Sequence, residues 1–209
     1  MTELEKAQNL LDTILDVRRK SACPFSPEVE QKFKNHCLSV AYISEKIALA
    51  AQNLNPEKSY ILGLLHDAGR ISDERSDRTF HGLTGFDYLI KNNMPSAARI
   101  AFTHCFYEPQ LNLSMYRMKP QDYIRSRELL KQISFDDYDY LIQLADILND
   151  CGRQCTIEYR FNSVAKRHNL DNEIVNMSVR RLNELKKYFD EKCRCDIYDL
   201  LQIDQKISV

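Results

Sequence analysis

Tyr60-Ile61-Leu62-Gly63-Leu64-Leu65-His66-Asp67-Ala68-Gly69-Arg70 is an apolar helical run that ends on two adjacent metal-type ligands. A buried imidazole and a buried carboxylate each cost free energy to desolvate unless a partner is supplied. A carboxylate at the end of a helix also faces the negative pole of the macrodipole. The pair therefore asks for a cation or for several donors. Candidate partners lie on both sides of it: His36 upstream, then His81, His104 and Asp146 downstream.

Working outward, Thr2-Glu3-Leu4-Glu5 has the form of a capping box. It starts an amphipathic helix with Leu4, Ala7, Leu11, Ile14 and Leu15 on one face. Cys23-Pro24-Phe25-Ser26-Pro27 breaks that helix, and Ser26 caps a second one with Pro27 in its first position. Val29, Phe33, His36, Val40, Ile43 and Ile47 recur on it at three- and four-residue steps, which turns His36 inward. Asn55-Pro56-Glu57 opens the helix that runs to His66-Asp67. The polar stretch from Ser72 to Arg78 reads as a loop, with Thr79 capping a helix that carries His81. Pro95 precedes a helix carrying His104, and Pro109 and Pro120 mark an irregular connection. Ser134 is expected to cap a helix over 135–150, with Leu141, Leu144, Ala145 and Leu148 toward the core and Asp146 beside them. Further helices follow, one capped by Asp171 and one around Asp196 to Gln202.

Five glycines and six prolines in 209 residues, and no period-two alternation of β-branched residues, make the chain all-helical. The expected organisation is an N-terminal helix over 1–25 packed on the domain, a metal-binding core over 26–150, and a C-terminal helical extension of the same domain over 151–209. A net charge of -1 gives no global attraction to nucleic acid or to an anionic membrane. The five aspartates between Asp136 and Asp150 read as a mostly solvated helix face. The N-terminus lacks a secretory signal and no apolar stretch approaches the roughly 20 residues that span a bilayer, so a soluble, cytoplasmic protein is expected. Seven cysteines without framework spacing suit a reducing compartment. Cys151/Cys155 and Cys193/Cys195 have the wrong spacing for a zinc knuckle and read as structural or incidental.

A lone histidine on an apolar helix face is more often a satisfied core residue than a ligand. Here, however, four of the chain's five histidines fall between residues 36 and 104, each on its own expected helix. A bundle that packs those apolar faces together can gather four imidazoles and two carboxylates at one centre. Six nitrogen and oxygen ligands without thiolate suit Fe, Mn, Zn, Ni, Co or Mg rather than a structural zinc site. They are too many for one catalytic ion that keeps an open position. Two ions roughly 3.5–4 Å apart, bridged by one carboxylate, use them well.

In order and helical context, His36, His66-Asp67 and Asp146 resemble the ligand set of the HD-domain metal-dependent phosphohydrolases. His81 in His-Gly-Leu-Thr-Gly and His104 in Ile-Ala-Phe-Thr-His resemble the two extra histidines of the binuclear branches. The resemblance covers roughly Glu28 to Asp150 and implies an all-α HD-domain helical bundle. His36, His66, Asp67 and Asp146 would hold a first ion, and Asp67 would bridge to a second held by His81 and His104. A bridging hydroxide would attack phosphorus. Arg70 would contact substrate phosphate, and Arg75 and Arg78 would overhang the site. The cyclic-dinucleotide branch has paired histidines followed by Gly-Tyr-Pro, whereas His104 is followed here by Cys105-Phe106-Tyr107-Glu108. The pattern is nearer to small stand-alone bacterial members, with a longer His104-to-Asp146 connection than in the symmetric dinucleoside-tetraphosphate hydrolases.

The leading expectation is thus a hydrolase of a phosphomonoester or phosphoanhydride, on a small nucleotide-type substrate. Asp67 and Arg70 would be its catalytic residues and one or two divalent ions its cofactors, while the C-terminal helices either cap the bundle or form the face of a homodimer. No nucleic acid polymer and no membrane is expected as a partner. The alternatives are a non-catalytic metal- or nucleotide-binding sensor and a purely structural helical adaptor.

Overall fold

The computed structural model describes residues 1–72, 80–106, 118–168 and 170–205. Among them the elements are α1 (Glu3–Arg19), α2 (Pro27–Ala51), α3 (Pro56–Leu65), a 3-10 turn (Ala68–Ser72), α4 (His81–Lys91), α5 (Pro95–Thr103), α6 (Pro120–Leu130), α7 (Asp137–Ile147), a minimal hairpin of β1 (Asn149–Asp150) and β2 (Arg153–Gln154), α8 (Ile157–His168), α9 (Asn172–Cys193) and α10 (Ile197–Leu200). The fold is an all-α bundle, as the sparse glycine and proline content implies.

Local signals start most of these helices where the sequence places them. Thr2 and Glu5 exchange reciprocal capping bonds at α1. Ser26 accepts from Val29 N at α2, Asn55 from Lys58 N at α3, and Asp171 from Glu173 N at α9. Each such cap is worth about 1 kcal/mol. Two starts differ. The expected Ser134 cap is displaced by Asp136, whose Oδ1 accepts from Tyr138 N at 2.9 Å while Asp139 Oδ2 accepts from Asp136 N at 2.8 Å. This reciprocal box satisfies two backbone donors at the start of α7, those of Asp136 and Tyr138, which a single serine hydroxyl does not. At α4 the N-cap position is Phe80, without a side-chain cap bond, and Thr79 lies outside the described residues, as do Arg75, Arg78 and Pro109. The helix expected to run to Asp150 stops at Ile147, because the chain turns there into the β1–β2 hairpin.

α2 and α3 form the central pair, with α1 across α3 and the 3-10 turn, α7 against α2 and α3, and α4 against α5 and the 3-10 turn. α9 closes the bundle over α2, α7 and α8. Val40, Ile43 and Ile47 of α2, Ile61, Leu62, Leu64 and Leu65 of α3, Leu141 and Leu144 of α7, and Leu182, Leu185 and Phe189 of α9 share one buried cluster. Burying each such side chain contributes about 1.5–3 kcal/mol. Val29, expected on the inner face of α2, is exposed in the first turn of that helix. A smaller cluster of Phe80, Leu83, Phe102, Phe106 and Leu130 backs α4 and α5.

Gly63 lets α3 lie directly on α2. A Cβ there would stand 2.8 Å from Ala41 Cα and 2.9 Å from the Val40 carbonyl oxygen. No side chain larger than hydrogen fits without separating the two helices that bring His36 and His66 together.

The five aspartates around α7 are not a solvated face. Asp136 pairs with Arg99, Asp137 with Lys192, Asp150 with Arg160, and Asp139 is fully buried against the Thr103 hydroxyl. Asp146 belongs to the centre described next. Among the described residues, no helix is long and apolar enough to cross a membrane.

Candidate metal centre

All six residues singled out by the sequence meet at the junction of α2, α3, α4, α5 and α7. His36 lies on α2 and Asp146 in the last turn of α7, while His66 and His104 directly follow α3 and α5. Asp67 leads into the 3-10 turn, and His81 opens α4. His36, His66, Asp67 and His104 are buried; His81 and Asp146 keep a partly open edge.

The donor atoms form two groups. In the first, His36 Nε2 stands 3.1 Å from His66 Nε2 and 3.2 Å from Asp146 Oδ1, and His66 Nε2 stands 3.8 Å from Asp146 Oδ1. In the second, His81 Nε2 and His104 Nε2 are 3.4 Å apart. Asp67 lies between them. Its Oδ2 faces the first group, 3.9 Å from His36 and 4.0 Å from His66, and its Oδ1 faces the second, 3.5 Å from His81 and 3.8 Å from His104. Two donors each about 2.1 Å from one cation sit about 3.0 Å apart at right angles and about 3.4 Å apart at the tetrahedral angle. The shortest separations, 3.1, 3.2 and 3.4 Å, fall in that range, the others are wider, and nitrogen and carboxylate oxygen are a suitable donor set for a divalent ion.

Backbone carbonyls orient two of the rings. His66 Nδ1 lies 2.7 Å from Gly63 O, and His104 Nδ1 lies 3.2 Å from Ile100 O. Each Nδ1–H donates to its carbonyl, leaving Nε2 as a lone pair aimed at the centre. His36 is held differently. Asn149 Oδ1 accepts from Gly152 N at 2.8 Å, which turns its Nδ2 toward His36 O at 3.1 Å and His36 Nδ1 at 2.8 Å. An amide N–H therefore donates to Nδ1, and the ring proton sits on Nε2 against Asp146. Ligation through Nε2 would place the ring proton on Nδ1 instead, with the Asn149 amide turned to present its oxygen there.

Electrostatics match this arrangement. Burial pushes the His66 imidazolium down to about 4, so the ring is neutral at physiological pH. Burial and the Arg70 charge hold His81 well below its ordinary value. For Asp67, burial alone would raise the carboxyl, but the Arg70 guanidinium and then the surrounding imidazoles hold it well below the usual range. Asp146 is likewise lowered: burial alone would raise it, but the His36 hydrogen bond and the surrounding imidazoles together outweigh burial. The result is neutral rings at His66 and His81 beside ionised Asp67 and Asp146, charges that suit a cation. Arg70 sits on the 3-10 turn with Nε 3.4 Å from Asp67 Oδ1 and its side chain 35% exposed, at the rim.

That turn is pressed against α4. A Cβ on Gly69 would lie 1.8 Å from the His81 carbonyl oxygen, so only glycine lets the turn pass beneath His81.

Three residues near the centre escape the sequence reading. Gln143 Nε2 donates to Thr103 O at 3.1 Å and Phe106 O at 2.6 Å, clamping the turn that carries His104. Gln143, Asp146 and Asn149 succeed one another at three-residue steps, a signal available in the sequence. Cys105, directly after His104, places its Sγ 3.3 Å from His81 Nε2 and 3.4 Å from His104 Nε2. The expected set of six nitrogen and oxygen ligands did not include this neighbouring sulfur. Burial and the Asp67 charge push its thiol up. Cys151, Cys155, Cys193 and Cys195 join no such donor group among the described residues.

A scan against protein-family models matches the HD domain over residues 33–149, more than half of the chain and enclosing all six positions. The chain belongs to the HD-domain family. No curated protein and no solved structure gives a significant match. HD domains bind divalent metals, and in this HD domain the buried His/Asp groups could hold them.

Proposed function

We propose that the protein is a metal-dependent phosphohydrolase that cleaves a phosphomonoester or phosphoanhydride of a small nucleotide-type substrate. His36, His66, Asp146 and Asp67 Oδ2 would hold one divalent ion, and His81, His104 and Asp67 Oδ1 a second. The observation that carries the reading is the division of Asp67, one carboxylate oxygen toward each histidine group. Membership of the HD-domain family supports it.

Two divalent ions so held supply Lewis acidity, acidifying water at neutral pH and neutralising charge on phosphoryl oxygens. The chain's own residues do the rest. The buried rings and the leucines of α3 form a dry floor, which strengthens every charge interaction above it. Asp67 stays ionised and keeps the two halves in register. Arg70, at the open edge, offers guanidinium donors to a substrate phosphate, in the geometry that favours bidentate recognition.

The test is metal analysis of the purified protein, followed by a screen of nucleotides and generic phosphoesters with Mn, Fe, Co, Ni or Zn supplied. Phosphate release that depends on the metal and is lost in Asp67→Ala is the expected result. Tight nucleotide binding without turnover under any of these ions would instead identify a sensor.

A further inference from the structure

We propose that Cys105 is a metal ligand, so that the second half of the centre is a mixed nitrogen, sulfur and oxygen site while the first half is nitrogen and oxygen only. This rests on the metal-binding part of the reading above, not on catalysis.

Four donor atoms converge beside α4 and α5: His81 Nε2, His104 Nε2, Cys105 Sγ and Asp67 Oδ1. Their separations are 3.4 Å between the two nitrogens, 3.3 and 3.4 Å from sulfur to each nitrogen, and 3.5 and 3.8 Å from the carboxylate oxygen to each nitrogen. A tetrahedral ion with bonds of about 2.0–2.1 Å to nitrogen and about 2.3 Å to sulfur has edges of about 3.3–3.6 Å. The triangle of His81, His104 and Cys105 has edges of 3.3–3.4 Å, at the lower end of that range, and Asp67 Oδ1 faces its two nitrogens from 3.5 and 3.8 Å. Hydrogen bonding alone accounts for it less well. The His104 proton is committed to Ile100 O, so its Nε2 presents a lone pair. One thiol proton can serve only one of the two ring nitrogens that Sγ faces, and Asp67 adds a further lone-pair donor at the same point. A divalent cation satisfies all four.

The position of the sulfur is imposed by structure, not by a mobile side chain. Gln143 grips the carbonyls of Thr103 and Phe106, on either side of the His104-Cys105 pair, and fixes the turn that aims both side chains at His81. Phe102 and Phe106, both fully buried, pack against Phe80 behind it.

On loading, the thiol S–H bond breaks, the sulfur–metal bond forms and the proton leaves to solvent; nothing is oxidised or reduced. A thiolate favours borderline ions such as zinc or cobalt over magnesium or manganese. The two halves should therefore select different metals, the second being the one that rejects hard ions.

The experiment is cobalt(II) titration of the full-length protein followed by electronic absorption, with Cys105→Ser alongside. The expected result is a sulfur-to-cobalt charge-transfer band that appears in the wild type and is lost in Cys105→Ser, while visible ligand-field bands from nitrogen and oxygen coordination persist. Cobalt uptake without the charge-transfer band overturns the thiolate assignment and leaves the metal-binding reading intact. A band that persists in Cys105→Ser assigns it to another cysteine and equally overturns the proposal. No cobalt uptake overturns both. Because the variant could fail to fold, zinc-edge X-ray absorption of the wild type gives an independent answer: a sulfur shell at about 2.3 Å supports the proposal, and a shell of nitrogen and oxygen alone contradicts it.

Discussion

The two halves of the centre are built on different foundations. The His36–His66–Asp146 half hangs on α2, α3 and α7, the members of the main core, and two of its rings are oriented by bonds that leave little freedom. The His81–His104 half stands on α4 and α5, which join the main core but also carry a second, aromatic cluster behind them, and a sulfur lies against it. The first half is pre-organised by the fold's main packing. The second is pre-organised by two local devices, the Gly69 crossing under His81 and the Gln143 clamp on the His104 turn. Asp67 turns one carboxylate oxygen toward each.

The contrast can be broken most severely at Asp67. Asp67→Ala should abolish the second ion, weaken the first, and lower turnover by at least about 10²–10³-fold. Elemental analysis and phosphate release check this, and a variant that keeps two ions and full activity refutes the shared role. Gly69→Ala separates the halves. A Cβ 1.8 Å from His81 O must push α4 aside, and displacement of about 1 Å is enough to cost about 10²-fold in rate. The variant should retain one ion, in the first half; equal loss from both halves would show that the local device does not act locally.

Asn149→Ala probes the other side. Removing the amide that orients His36 should weaken the first ion by about 10–100-fold and leave the second almost untouched. Competition with a chelator reads it, and an unchanged first affinity would deny Asn149 its orienting role. The smallest effect concerns Asp139, which touches neither half. Burial, against the Thr103 hydroxyl, raises its carboxyl to about 6. A carboxyl raised on folding contributes stability that is fully present below its ordinary value near 3.8 and is lost as pH rises through about 6. Asp136 shifts the other way, because Arg99 outweighs its burial, and offsets part of the slope. Asp139→Asn should flatten apo-protein stability between about pH 4 and 6 in denaturant titrations; an unaltered profile would assign the slope to other groups.

Much of this was legible before any coordinates. The His66-Asp67 pair at the end of an apolar run is so unfavourable without a cation that it announces a site, and helical periodicity turns His36 inward. Thr2, Ser26, Asn55 and Asp171 cap the helices they were expected to cap. What stayed hidden depends on the angle between elements, which one-dimensional spacing does not carry. Cys105 adjoins His104 in the chain, but nothing in the sequence says that the end of α5 aims both side chains at one point. Asn149 serves the centre only because the chain leaves α7 into a hairpin that returns toward α2. Ser134 lost the cap to Asp136 because a reciprocal pair of bonds outcompetes a single one two residues earlier. Val29 had the right period and lay too near the helix end to be covered.

Anomalous diffraction from crystals loaded with zinc or cobalt tests the shared carboxylate most directly. Two peaks about 3.5–4 Å apart, one beside each Asp67 oxygen, are the predicted result. A single peak, or two peaks that Asp67 does not join, would contradict it.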